Sequence, residues 1–189
     1  MKHDLILLIG PSAVGKSTVL KQLRAHRLCN VSYLSLDQVV GQYSKKRHLI
    51  GPGASIKCLV QLFKNNPDGL FRYCLQALNN ALEKICHNSK VLVDVGAGLF
   101  YGEAACRWVA QQRSIYMAID QKQGFIRFSE FRNSTLSYQQ YLNTQFSFER
   151  RQLYASCQIA IDCTDLSVVQ ATNSLIAELN ITQEFSLND

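Results

Sequence analysis

Eight consecutive residues, Gly10-Pro11-Ser12-Ala13-Val14-Gly15-Lys16-Ser17, constrain this chain more than any other stretch. They fill every fixed position of the pattern G-x-x-x-x-G-K-[ST]. The apolar run Leu5-Ile6-Leu7-Leu8-Ile9 just before them reads as a fully buried parallel strand. The helix-forming stretch Thr18–Arg24 comes just after. Glycines let the chain wrap without Cβ clashes, so successive backbone N–H groups turn inward toward an anion. The N-terminus of the following helix adds unsatisfied donors and a partial positive charge. Gly10, Ala13, Val14, Gly15, Lys16, Ser17 and Thr18 are therefore candidates for cradling the phosphates of a nucleotide such as ATP. Lys16 can reach the β- and γ-phosphates as a compact cation, and the Ser17 hydroxyl can sit on Mg²⁺.

The rest of the chain alternates strand-like and helix-like segments. Val31–Leu36, Lys90–Val95, Ile115–Ile119 and Gln158–Asp162 read as four further strands. Apolar residues recur at helical spacing from Leu70 to His87, and a last helix is expected from an Asp165 N-cap to about Leu179. Lys45–Ser55 reads as a loop and Asn65–Gly69 as a turn. Five buried strands separated by helices imply an α/β fold in three layers, α/β/α, around a five-stranded parallel sheet. Ligands of such sheets bind at the carboxyl ends of the strands. Gly10, Asp37, Asp94, Gly96 and Asp120 all fall at or just beyond such ends.

A length of 189 residues fits one domain with a proper core. The 47% apolar and 18% charged residues are those of an ordinary globular protein, and no stretch approaches the ~20 apolar residues of a membrane span. The N-terminus leads directly into the first strand, so no signal peptide is expected. A net charge of +6 and a pI near 9.0 favour anionic ligands. The basic residues are dispersed, and the short cluster Lys45-Lys46-Arg47 reads as a solvated loop rather than a nucleic-acid patch. Cys29, Cys58, Cys74, Cys86, Cys106, Cys157 and Cys163 show neither C-x-x-C nor metal spacing. They read as reduced core thiols of a cytoplasmic protein.

Further motifs follow the phosphate loop in order: Asp37 after the second strand, Phe71-Arg72, Gly96-Ala97-Gly98 after the third strand, and Glu149-Arg150-Arg151-Gln152-Leu153-Tyr154. Taken together, these resemble the shikimate kinases, small-molecule kinases of the P-loop NTPase class, over about residues 3–180. The resemblance implies ATP-dependent transfer of the γ-phosphoryl group to a hydroxyl of a shikimate-like hydroxylated carboxylic acid. It assigns Lys16, Asp37 and a lid arginine, Arg132, to catalysis. It assigns Asp37, Arg72, Gly96, Ala97, Gly98 and Arg150 to the acceptor, with Arg72 and Arg150 on its carboxylate. Residues 1–180 would form one kinase domain, with the acceptor region at about 38–88, the lid at about 121–140, and a tail at 181–189. Cys163-Thr164-Asp165 stands where the family packs its adenine.

The chain also departs from the family pattern. The first acid of the family's Asp-x-Asp is Ser35, the middle glycine of the glycine turn is Ala97, and the proline of the late motif is Gln152. Asp94 ends an apolar strand in the manner of a Walker B acid, so with Ser17 it is the candidate Mg²⁺ residue, regaining the acid lost at Ser35. A strand-end aspartate that bonds a turn is the other reading of Asp94. Asp37 reads equally as a group that orients or deprotonates an acceptor hydroxyl and as a helix N-cap. Arg127 stands beside Arg132 as an alternative lid residue, and an exposed helix arginine is the plain reading of Arg72. Two further functions stay open: a P-loop kinase for a nucleoside, nucleotide or sugar, and a nucleotide-binding regulator that has lost catalysis.

Overall fold

The computed structural model describes residues 4–25, 31–85, 89–96 and 98–179. The strands are β1 (Asp4–Ile9), β2 (Val31–Ser35), β3 (Lys90–Val95), β4 (Arg113–Ala118) and β5 (Ile159–Asp162). They form one all-parallel sheet in the order β2-β3-β1-β4-β5. The strand before the phosphate loop is thus central, and Ile6, Leu7, Leu8 and Ile9 are buried on both faces. That burial is why β1 reads as an unbroken apolar run, whereas the edge strands β2 and β5 are only partly covered.

The helices are α1 (Lys16–Ala25), α2 (Leu36–Lys46), α3 (Ile56–Leu62), α4 (Pro67–Leu82), α5 (Glu103–Ala110), α6 (Gln121–Arg132), α7 (Tyr138–Gln145), α8 (Phe148–Ala155) and α9 (Val168–Leu179). α1 packs on α9, while α4 packs on α2 and α5, and α5 on α8. The β1→β2 crossover through α1 runs one way along the sheet and the later crossovers run the other way, so right-handed connections put these two groups on opposite faces, which gives the expected three layers. The fold class read from the sequence, an α/β/α P-loop architecture with five parallel strands, is the one observed.

Several boundaries differ for local reasons. α4 begins inside the expected turn, because the Asn66 side chain accepts from Gly69 N–H at 2.8 Å and Pro67 occupies the first helical position. The Asp165 N-cap is corrected: α9 starts at Val168, and the Ser167 hydroxyl accepts from Gln170 N–H at 3.3 Å. Helix α2 continues through Lys46, so the loop begins at Arg47 rather than Lys45. Cys58 is exposed rather than in the core, while Cys74 and Cys163 are buried. Cys29, Cys86, His87, Ala97 and the tail at 181–189 lie outside the described residues. Among the described residues no helix is long and apolar enough to cross a membrane.

Candidate active site

Beyond the carboxyl ends of β1, β2 and β3 lies a cleft of about 550 Å³. Ser12, Ala13, Gly15, Lys16, Ser17 and Thr18 of the loop line it, together with Asp37, Asp94, Gly96, Arg127, Glu130, Phe131 and Arg132. Ala13 and Gly15 have φ of 66° and 109°. Alternation of left- and right-handed residues is what turns successive N–H groups to one side, and Gly15 provides it without Cβ strain. Gly10 and Val14 stand behind the loop: Val14 is buried, with its side chain against Gly10.

Lys16 is buried, and its ammonium donates to the carbonyls of Gly10 (2.7 Å) and Pro11 (3.0 Å). Burial lowers its pKa, and the carboxylates of Asp94 and then Asp37 act in the opposite direction. The Ser17 hydroxyl donates to Asp94 Oδ2 at 3.3 Å, and Asp94 Oδ1 is buried without a partner among the described residues. Burial raises the pKa of Asp94, while Lys16 and Ser17 lower it. Asp94 therefore bonds the phosphate-loop helix rather than the turn after its own strand. It also stands in register with Ser35, the position that lacks the expected acid, on the neighbouring parallel strand.

Asp37 is not the N-cap of α2; that position is Ser35, and Asp37 sits in the first turn, where the helix dipole favours a carboxylate. Its carboxylate packs on the Cα of Gly96, where an added Cβ would lie 2.2 Å from Oδ1. Burial raises the pKa of Asp37, as does Asp94, whereas Lys16 and Arg132 lower it. Two carboxylates, one lysine and the Arg132 guanidinium thus act on one another in a single cleft.

The arginines separate into distinct roles. Arg132, at the end of α6, lines the cleft, with its guanidinium 5.3 Å from the Phe131 ring. Arg127 is tied down: it donates to the carbonyls of Cys163 (3.1 Å) and Thr164 (2.7 Å) after β5. Arg150, on α8, is half-buried, lies beside the Tyr154 hydroxyl, and acts on Lys16. Its Nη1 is buried with no hydrogen-bond partner among the described residues. Arg72 is exposed on α4 and does not line the cleft, because Phe71 takes the inward position against Phe100 and Trp108. Gly98 also lies away from the cleft lining. Asp120, placed at a strand end by the sequence, caps α6 by accepting from Lys122 and Gln123 N–H.

Two features had no sequence signal. Ser12 N–H donates to the Gln145 side chain at 2.9 Å, and the Tyr154 hydroxyl donates to the Gln145 carbonyl at 3.0 Å. Residues 12 and 145 are remote in the chain, and a glutamine in an amphipathic helix ordinarily reads as surface.

No protein-family model matches the chain, and no curated protein matches its sequence. Solved structures do match in fold. Shikimate kinase from Bacteroides thetaiotaomicron superposes with a TM-score of 0.65 at 16% identity, covering 93% of this chain and 98% of that one. Shikimate kinase from Acinetobacter baumannii in complex with shikimate gives 0.61 at 18% identity, covering 98% and 97%. The tunicamycin resistance protein of Deinococcus radiodurans gives 0.63 at 16% identity, covering 96% and 98%. The chain has the shikimate kinase-like P-loop fold along nearly its whole length.

Proposed function

We propose that this chain is an ATP-dependent kinase that transfers a γ-phosphoryl group to a hydroxyl of a small hydroxylated carboxylic acid. The observation that carries the reading is Arg150 Nη1, a buried guanidinium nitrogen without an acceptor among the described residues, on a side chain that acts on Lys16. Buried charged donors are rarely left unpaired, and an arginine fork matches a carboxylate in two parallel bonds. The loop N–H groups, Lys16 and Arg132 would hold the nucleotide phosphates. The orphaned Asp94 Oδ1 beside Ser17 fits a divalent cation held by these two residues. Bound Mg²⁺ would neutralise charge on the phosphates.

In the transfer, the acceptor oxygen forms its bond to the γ-phosphorus as the bond to the β–γ bridging oxygen breaks. The hydroxyl proton passes to Asp37, whose raised pKa suits a base, and ADP leaves with the electron pair. Arg132 compensates charge on the transferring group, and residues 121–140 act as the lid that brings it there. Asp37, immediately before the acceptor region at 38–88, carries the contact to the acceptor hydroxyl.

A coupled assay for ADP release tests this against shikimate, other hydroxy acids, sugars and nucleosides. Acceptor-dependent turnover confined to hydroxy acids is expected. Turnover with neutral sugars or nucleosides alone would overturn the acceptor class, and MgATP binding without any turnover would overturn the kinase reading. A second reading, a kinase for another acceptor, is favoured by the cleft lining, which includes neither Arg72 nor Arg150, the two arginines expected on the carboxylate.

A further inference from the structure

The phosphate loop is gripped from behind as well as built from within. Ser12 N–H donates to Gln145 Oε1 at 2.9 Å, and of the two ends of that side-chain amide only the oxygen can take the bond. Gln145 ends α7 and is 7% exposed, so its amide is a buried polar group facing the loop rather than a surface one. Its own carbonyl is held by the Tyr154 hydroxyl at 3.0 Å. The Tyr154 ring is fixed in turn, stacked on Tyr116 of β4 with centroids 4.7 Å apart and planes 10° apart. Arg150, one turn earlier on α8, lies beside the Tyr154 hydroxyl and acts on Lys16. These contacts form an open ring from the loop through α7 to α8, where the Arg150 charge opposes that of the loop lysine without a bond between them.

The residue after Ser12 gives the ring something to do. Ala13 holds φ at 66°, a conformation that costs any residue with a Cβ and persists only where neighbouring contacts enforce it. A hydrogen bond on the preceding N–H is such a contact. It also withholds that N–H from the ligand, leaving the remaining loop donors to face the anion.

We propose that Gln145 is a positioning residue that latches the phosphate loop in its anion-ready conformation and ties it, through Tyr154, to Arg150. The proposal rests on the nucleotide-binding reading of the loop. It is tested with MgADP, whose binding needs no knowledge of the acceptor. Gln145→Met keeps the length of the side chain and exchanges the amide oxygen for a weakly accepting sulfur; it should weaken MgADP by about 3- to 10-fold and speed amide exchange at Ser12 by a similar factor. Gln145→Glu keeps an acceptor oxygen at the same reach; it should restore Ser12 protection and bind MgADP at least about threefold tighter than Gln145→Met. A merely structural glutamine would lose both variants alike. Should Gln145→Met not fold, Tyr154→Phe keeps the stack on Tyr116, frees the Gln145 carbonyl, and should weaken MgADP about threefold. MgADP affinity within twofold of wild type for Gln145→Met or unchanged for Tyr154→Phe overturns the latch, as does Gln145→Glu no better than Gln145→Met. Failure of the wild-type protein to bind MgADP is a separate result, which removes the nucleotide reading itself.

Discussion

Replacing Gly96 with alanine would separate the acceptor side of the cleft from the nucleotide side. An added Cβ would stand 2.2 Å from Asp37 Oδ1, 2.6 Å from Oδ2 and 2.7 Å from Cγ. Reaching an ordinary contact obliges the carboxylate to withdraw by about 1.2 Å. The backbone at Gly96 is outside the left-handed region, so alanine itself is tolerated there. Turning the Asp37 side chain off its rotamer costs about 1 kcal/mol, and the lost flexibility of the unfolded chain returns about 0.4–1 kcal/mol. Stability should therefore change little, with a melting temperature within about 3 °C of wild type. Catalysis should not survive so well: a 1 Å misplacement of a reacting group costs on the order of 100-fold. Gly96→Ala should accordingly lower kcat about 100-fold, measured by coupled ADP release, and leave MgADP affinity by calorimetry within about twofold. Asp37→Asn should fall to a similar floor, and the double variant should be no worse than either, since both remove one positioned carboxylate. If Gly96→Ala keeps a third or more of its kcat, or loses MgADP in parallel, Asp37 does not act at the acceptor in this way.

The raised pKa of Asp94 means that its ionised form costs the ligand-free fold stability, a cost that is absent below the ordinary carboxylate range and complete once pH exceeds the raised value. Asp94→Asn should hence raise the melting temperature at pH 7.5 by about 2–4 °C without Mg²⁺ or nucleotide, with the gain vanishing at acid pH, and should abolish Mg²⁺-dependent stabilisation by ADP. A lower melting temperature, or undiminished Mg²⁺ dependence, would refute this. Arg150→Ala should raise the KM for a carboxylate acceptor by about 10- to 100-fold, with far less effect on the KM for ATP; equal losses on both would place Arg150 elsewhere. Arg72→Ala should leave both KM values within about twofold, since the side chain is exposed outside the cleft. A tenfold change in acceptor KM would restore the role that the family resemblance gives it.

The phosphate loop and the central strands were legible in the sequence for physical reasons. A backbone turn at φ 109° that presents donors favours glycine, and strands buried on both faces leave no room for polar alternation, so Gly15 and Leu5–Ile9 announce themselves. Helix starts were less legible. Asp37 and Asp165 are good caps by residue type, but Ser35 and Ser167 hold those positions because the chain leaves the sheet earlier or later than residue type alone records. The two residues of Phe71-Arg72 lie about 100° apart around α4, and only the packing of Phe71 on Phe100 and Trp108 decides that the arginine faces outward. Gln145 was illegible for another reason: its partner is a backbone N–H far away in the chain, and a main-chain donor leaves no mark on residue type.

Ser35 and Asp94 end adjacent parallel strands in register, level with one another above the sheet. A sheet of this kind is a rack of pegs, and a carboxylate hung on one peg serves nearly the same space as one hung on the next, about 4.8 Å away. Read as a row, along the chain, position 35 is a vacancy. Read as a column, across the strands, an acid, Asp94, stands one place over. For folds of this type an inventory of charged groups is best taken across the strand ends, where substitutions that look like losses in linear order can be relocations.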